Sequence, residues 1–263
     1  MPNLRLIKYP GSKNALLPII RRVFEESGRT ILVDVFGGSG TVSLNITSDS
    51  TVYNDLNREL FNLFNVIKYR SDLFSQMADE WTSDKERFRS YGNMMTSGRL
   101  VTGNDVEAAF RTFYKFNVGF GGMGSTYRTH KEKSAYSSIL KILSGYAEIS
   151  TRISRWTIEN LDFRELISKY DSENVFFYLD PPYLGKSWYD IDFNYRSLRD
   201  LKKLTDIMKG RYLCSFDSSD KEAETVFGKP DYIAQFVNQN RQKASIPVYR
   251  TFSLYYNGDV RLG

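Results

Sequence analysis

The chain has 263 residues, 41% hydrophobic and 25% charged, with one cysteine, one histidine and a net charge of +5. That is material for one large globular domain or a domain carrying an insertion. It excludes an internal disulfide and a zinc site built from Cys and His, so no metal is expected. No apolar run is long enough to span a bilayer, and MPNLRLIKYPGSK has no secretory h-region, so no membrane partner and a cytoplasmic location are expected.

Along the chain, Leu16, Ile19, Ile20, Val23 and Phe24 recur at helical spacing between Ser12 and Glu26. TILVDVF (30–36) reads as a buried strand, followed by the glycine turn FGGSG and by TVSLN, which opens a helix. STVYND (50–55) reads as a second strand, and LNRELFNLFNVIKY (56–69) as a helix with Leu60, Leu63, Phe64 and Ile67 on one face. This alternation is the opening of a doubly wound α/β sheet. The stretch 73–149 breaks it and reads as an inserted, mainly helical module. Strand signals return in RWTIENL, NVFFYLD, RYLCSFD, DYIAQFVN and TFSLYYN, which makes seven strand candidates in all. The last two lack a clear helix between them and suit an antiparallel hairpin at the sheet edge.

Charge follows the same division. Residues 85–155 hold 12 Lys+Arg against 5 Asp+Glu, and the remainder holds 24 against 26. The positive charge is thus concentrated in the insert, as a polyanion-binding surface requires. His130 lies in the basic run YRTHKEK and is read as a surface or DNA-contacting group, and Cys214, in RYLCSF, as a buried small hydrophobe.

Three features carry chemistry. VDVFGGSG (33–40) places glycines just after a strand, where the backbone can approach a ligand and turn into a helix. A dinucleotide fingerprint starting at Gly38 and Gly40 would need glycine at position 43, where Ser43 stands, so F-x-G-x-G (Phe36, Gly38, Gly40) suits an adenosyl group without a pyrophosphate better. Asp55 ends the second strand, where an acid accepts hydrogen bonds from ribose hydroxyls or caps the next helix. LDPPYL (179–184) follows the apolar VFFYL, so Asp180, Pro181, Pro182 and Tyr183 form a rigid corner at a strand's carboxyl end, where open α/β sheets bind ligands.

With KYPGSK (8–13), VDVFGGSGTVSLN (33–45), YNDLN (53–57), NLDF (160–163) and YLDPPYL (178–184) in this order, the chain resembles the DNA adenine methyltransferase (Dam-like) family along nearly its whole length. The resemblance implies a seven-stranded, mostly parallel, Rossmann-like methyltransferase sheet. Residues 1–72 and 150–263 would form the catalytic domain and 73–149 an inserted target-recognition domain. It implies S-adenosyl-L-methionine as cofactor and double-stranded DNA as partner. Tyr9 and Lys13 would clasp the methionine part of the cofactor. Phe36 and Gly38, with Gly37, Ser39 and Gly40 of the same turn, would line its pocket. Asp55 would hold the ribose, Phe163 would border the adenine, and Asp180 would be shared between cofactor and target base. Asp180 and the Pro181 carbonyl would accept the two N–H bonds of the target amine, with Pro182 stiffening the corner and Tyr183 stacking on a flipped base.

Such a reaction runs on positioning and electrostatics, without a covalent intermediate. In the insert, Arg111, Tyr114, Lys115, Asn117, Arg128 and Lys131 interleave charge with aromatic and amide groups, around the glycine-containing segment Phe120, Gly122 and Met123. These are the expected DNA contacts, phosphates through Lys and Arg and bases through Arg, Asn or apolar groups. RQKASIPVYR (241–250) is a second basic stretch. The same motifs also serve cytosine N4 or adenine in RNA, or survive in an inactive DNA-binding relative. Target sequence, oligomeric state and biological role, whether phage modification or restriction partner, stay open.

Overall fold

The computed structural model describes residues 3–97, 105–119, 132–182, 193–237 and 249–258. Its centre is a seven-stranded sheet: β1 (Ile31–Asp34), β2 (Ser50–Asn54), β3 (Thr157–Glu159), β4 (Val175–Leu179), β5 (Arg211–Asp217), β6 (Tyr232–Val237) and β7 (Tyr249–Tyr256). Their spatial order is β3-β2-β1-β4-β5-β7-β6. β1 to β5 pair parallel, and β7 pairs antiparallel with both β5 and β6. All seven strand candidates are strands, and the fold is the expected mostly parallel Rossmann-like α/β sheet. The last two do form an antiparallel hairpin, but β7 inserts between β5 and β6, which leaves β6 alone at the edge.

β4 is buried at every position, as a strand covered on both faces must be. Alternation sorts the side chains: Phe176 and Tyr178 join Leu32 and Leu213 on one face, while Phe177 and Leu179 join Val33 and Cys214 on the other. The first face is covered by α1 (Leu17–Glu26), through Ile20, Val23 and Phe24. Pro18, in the first turn of α1, needs no N–H partner there. The opposite face is covered by α9 (Phe163–Tyr170), α10 (Tyr195–Ile207) and α11 (Lys221–Phe227), capped at their N-termini by Asp162, Asn194 and Asp220. Cys214 is fully buried among them, as the sequence indicates.

The chain between β2 and β3 is helical throughout its described part: α3 (Arg58–Tyr69), α4 (Ser71–Thr82), α5 (Lys85–Thr96), α6 (Asp105–Val118), α7 (Glu132–Ser144) and α8 (Tyr146–Ile153). One apolar cluster runs from Leu44, Tyr53 and Leu60 through Phe74, Phe88 and Phe113 to Ile149 and Trp156. The insert therefore shares its core with α3 and the β2 edge. Among the described residues, no helix is long and apolar enough to cross a membrane.

Candidate functional site

A cavity of about 600 Å³ lies at the carboxyl ends of β1, β2 and β4. Tyr9, Lys13, Phe36, Gly37, Gly38, Ser39, Asp55, Phe163, Asp180 and Pro182 all line it. Residues 173 positions apart in sequence, Tyr9 and Pro182, thus meet in one cleft. Gly40 and Pro181 do not line it. Gly40 is the left-handed N-cap of α2 (Thr41–Asn45), and Pro181 is a buried member of the corner.

The glycine turn has steric reasons. Gly38 has φ of +51°, and its N–H donates to Asp55 Oδ2 at 2.8 Å. A Cβ on Gly37 would sit 2.2 Å from the Tyr53 ring, and the Tyr53 hydroxyl donates to the Gly38 carbonyl at 2.8 Å. The ring of Tyr53 is thus a floor that admits only glycine above it. Asp55 Oδ1 accepts from the Asn57 N–H at 2.8 Å. Asn57, not Asp55, caps α3, accepting from the backbone N–H groups of Glu59 and Leu60. Asp55 is thereby released from the capping role and turned to the cleft.

Three carboxyls face this cavity, Asp34 and Asp55 buried and Asp180 half-buried. Asp34, at the end of β1, accepts from Ser43 Oγ at 2.8 Å; burial, with the Asp180 and Asp55 charges nearby, pushes its carboxyl up to about 7 against the Ser43 bond. Burial pushes Asp55 up to about 6, opposed by the two backbone N–H bonds it accepts. Asp180 is also raised by burial, with the Lys13 ammonium, Arg250 and Ser215 pulling the other way. Its Oδ2 accepts from Lys13 Nζ at 2.6 Å, and its Oδ1 lies 3.4 Å from Ser215 Oγ. A cleft that raises its carboxyls by desolvation suits a ligand bearing positive charge, which restores the ionised form.

An aromatic corner borders the acids. Phe36, Phe163 and Phe193 pack with ring centroids 5.7 to 5.9 Å apart, and the Arg164 guanidinium lies 4.3 Å from the Phe163 centroid. Phe193 escaped the sequence reading, and so did Asp34, Asn54, Asp162 and Arg164, which also line the cleft. Asn54 Nδ2 donates to the Val35 and Leu161 carbonyls, and its Oδ1 accepts from the Leu161 N–H, so it staples the exits of β1 and β3. Asp34 and Asn54 were visible as polar residues closing apolar strands; nothing marked Phe193.

The insert requires a correction. Tyr114 and Asn117, expected as DNA contacts, are 0% and 1% exposed. Tyr114 donates its hydroxyl to the Phe88 carbonyl, and Asn117 Nδ2 donates to the Leu6 and Phe113 carbonyls. On α6 they follow Phe110 and Phe113 at helical spacing and share the core face. Arg111 is half-buried on the flank, and Lys115 pairs with Glu59 at 2.6 Å. Tyr183, Phe120, Gly122, Met123, Arg128, His130 and Lys131 lie outside the described residues, as does 238–248 with most of the second basic stretch. Among the described residues no group of three or more His, Cys, Asp or Glu could hold a metal ion.

The family model of D12 class N6 adenine-specific DNA methyltransferases matches residues 9–229. The Type II methyltransferase M1.LlaDCHI of Lactococcus lactis subsp. cremoris is 25% identical over 244 residues, covering 86% of this chain and 85% of its own. A DNA adenine methylase of Vibrio cholerae is 25% identical over 184 residues, covering 67% of this chain and 64% of its own. The modification methylase StsI of Streptococcus sanguinis is 23% identical over 190 residues, covering 68% of this chain but only 28% of its own length. The chain thus spans less than two thirds of the last two. With the motifs in order, their residues gathered in one cleft and the model matched across most of its length, the chain belongs to the D12 class of N6 adenine-specific DNA methyltransferases.

Proposed function

We propose that this protein transfers the methyl group of S-adenosyl-L-methionine to N6 of an adenine rotated out of duplex DNA. One observation carries the reading: Asp180 of the Asp-Pro-Pro corner lines the same cavity as Gly38 and Asp55.

The residues fit the cofactor on three counts. The volume of about 600 Å³ falls in the range of small-molecule sites. The raised Asp34 and Asp55 carboxyls favour a cationic guest. The Phe36–Phe163–Phe193 corner offers aromatic surface for a flat ring. When bound, S-adenosylmethionine supplies an electrophilic methyl carbon. Asp55 would hold the ribose hydroxyls, Tyr9 and the Gly37–Ser39 turn would bound the pocket, and Phe163 would border the adenine.

The target amine is a poor nucleophile because its lone pair is delocalised into the ring. Asp180 and the Pro181 carbonyl would accept its two N–H bonds, drawing the nitrogen toward tetrahedral geometry and freeing the lone pair. Inside a duplex the amine cannot reach these acceptors, so the base must leave the stack, which costs a few kcal/mol. Tyr183 would offset that by stacking, worth about 1–3 kcal/mol per base. The insert 73–149 would bind the DNA, with Arg111, Arg128 and Lys131 as phosphate contacts and the Phe120–Met123 segment as base reader. The protein would serve DNA modification.

The test is transfer from methyl-labelled S-adenosylmethionine to unmodified duplex DNA, followed by digestion to nucleosides. Label in N6-methyladenine is the expected result. Label in N4-methylcytosine would replace the substrate, label only with RNA would replace the partner, and no label would remove the activity.

A further inference from the structure

Lys13 is an unusual group to find in this cleft: a lysine 4% exposed, its ammonium turned inward. Its Nζ donates to Gly11 O at 2.9 Å, within its own turn, and to Asp180 Oδ2 at 2.6 Å, on a strand end 167 residues away. The Phe252 ring centroid lies 5.6 Å from Nζ, and Arg250 stands 4.8 Å from that same centroid. The two bonds together hold Nζ between its own turn and the end of β4.

The two oxygens of Asp180 are held unequally. Oδ2 has the charge-assisted bond. Oδ1 has, among the described residues, only the 3.4 Å contact with Ser215 Oγ, whose hydroxyl is already tied to the Tyr178 hydroxyl at 2.9 Å. A carboxyl is the stronger acceptor when ionised, and it must present an oxygen that no strong donor occupies. Protonated, Asp180 would be a weaker acceptor and could turn an O–H donor toward the amine. The groups facing it are Lys13 from the N-terminal turn, Arg250 from β7, Asp34 from β1, Cys214 and Ser215 from β5, and Tyr178 from β4. Of these only Lys13 is close enough to form a salt bridge with the carboxylate.

We propose that Lys13 is a positioning residue for methyl transfer: its ammonium grips Asp180 Oδ2, keeps the carboxylate charged, and leaves Oδ1 as the acceptor for the target amine. This differs from the methionine-clasping role that the family resemblance implies for Lys13, and it rests on the adenine-methylation reading above.

Two measurements on the folded 263-residue chain separate the roles. The first follows the Asp180 carboxyl by carbon-13 NMR as pH is varied, assigned by its loss in Asp180→Asn. The second is calorimetric titration with S-adenosylmethionine. In Lys13→Met the Asp180 titration should move up by about 1–3 pH units, with cofactor affinity changed less than about threefold. The acid limb of the transfer rate should rise with it, and Lys13→Arg should restore part of both. Should Lys13→Met not fold, Lys13→Gln, which keeps an N–H donor without the charge, carries the same test. An Asp180 titration unmoved by loss of the ammonium overturns the inference. So does a cofactor affinity about tenfold weaker or more with that titration unmoved, which is the signature of a methionine clasp. If the wild-type protein transfers no methyl group, the proposed function fails and the positioning role falls with it. If the wild type is active and the titration stays put, only the Lys13 role fails.

Discussion

At the carboxyl edge of the sheet, Lys13, Asp34 and Asp55 are buried beside a cavity they help to line. In the helical insert, Thr112 and Asn117 are buried as deeply, but the Thr112 hydroxyl and the Asn117 amide nitrogen turn to backbone carbonyls. The two regions show that burial of a polar group does not mark function by itself. In α6 the side-chain donors are spent on backbone carbonyls, so the side chains are structural. In the cleft the carboxyls also accept bonds from the fold, but they line a cavity as well, and their desolvated charge is an energetic cost that a ligand can offset.

The largest expected effect breaks the cleft side of this comparison. Asp180→Ala should lower the transfer rate by about 10²–10³-fold or more while leaving DNA affinity nearly intact. Normal turnover by that variant would remove the residue from the site. Next, Asp55→Ala should weaken S-adenosylmethionine about 10–100-fold, the value of one or two hydrogen bonds to a charged group. Unchanged affinity would return Asp55 to a purely structural role, pinning Gly38 and Asn57.

A smaller effect concerns pH. Asp34 and Asp55, raised to about 7 and about 6, hold protons in the folded chain that the unfolded chain has released above about pH 4. The stability these protons give is therefore full at low pH and is lost as pH rises from about 4 through about 7. A cationic cofactor prefers the ionised acids, so its affinity should rise over the upper part of that window. Calorimetry at pH 5.5, 6.5 and 7.5 should show tighter binding at each step and proton release. A flat profile would mean that neither acid meets the ligand.

The smallest effect sharpens the insert side. Asn117→Ala leaves the Leu6 carbonyl without its donor and should cost about 1–3 kcal/mol of stability, with the salt dependence of DNA binding unaltered. Arg111→Ala should do the reverse, flattening the slope of log affinity against log salt by about 0.9 per lost phosphate contact. If Asn117→Ala changed that slope and Arg111→Ala did not, the assignment of core and surface on α6 would be inverted.

How much of this was legible in the sequence follows from contact range. The strands were, because VFFYL and ILVD are short, apolar and β-rich. The glycine turn and Asp55 were legible because each is marked locally, the glycines by following one apolar strand and the acid by closing the next. The Lys13–Asp180 bridge was not, since 167 residues separate its ends. Nor was the placement of β7 between β5 and β6, which no local pattern encodes. Tyr114 and Asn117 were misread for a different reason. The run from Arg111 to Asn117 alternates charge and aromatic groups, which looks like a nucleic-acid surface. Its helical period, already set by Phe110 and Phe113, turns the aromatic and amide members inward.

The account stands or falls on the cleft that joins the glycine turn to the Asp-Pro-Pro corner being the cofactor site. Gly38 has a left-handed backbone and stands against the Tyr9 ring, 3.2 Å from where its Cβ would be. Calorimetric titration of S-adenosylmethionine into the wild type and Gly38→Val, both shown folded by circular dichroism, tests it most directly. One binding site in the wild type and none in the variant is the expected result. Equal binding by both, or none by either, would contradict it.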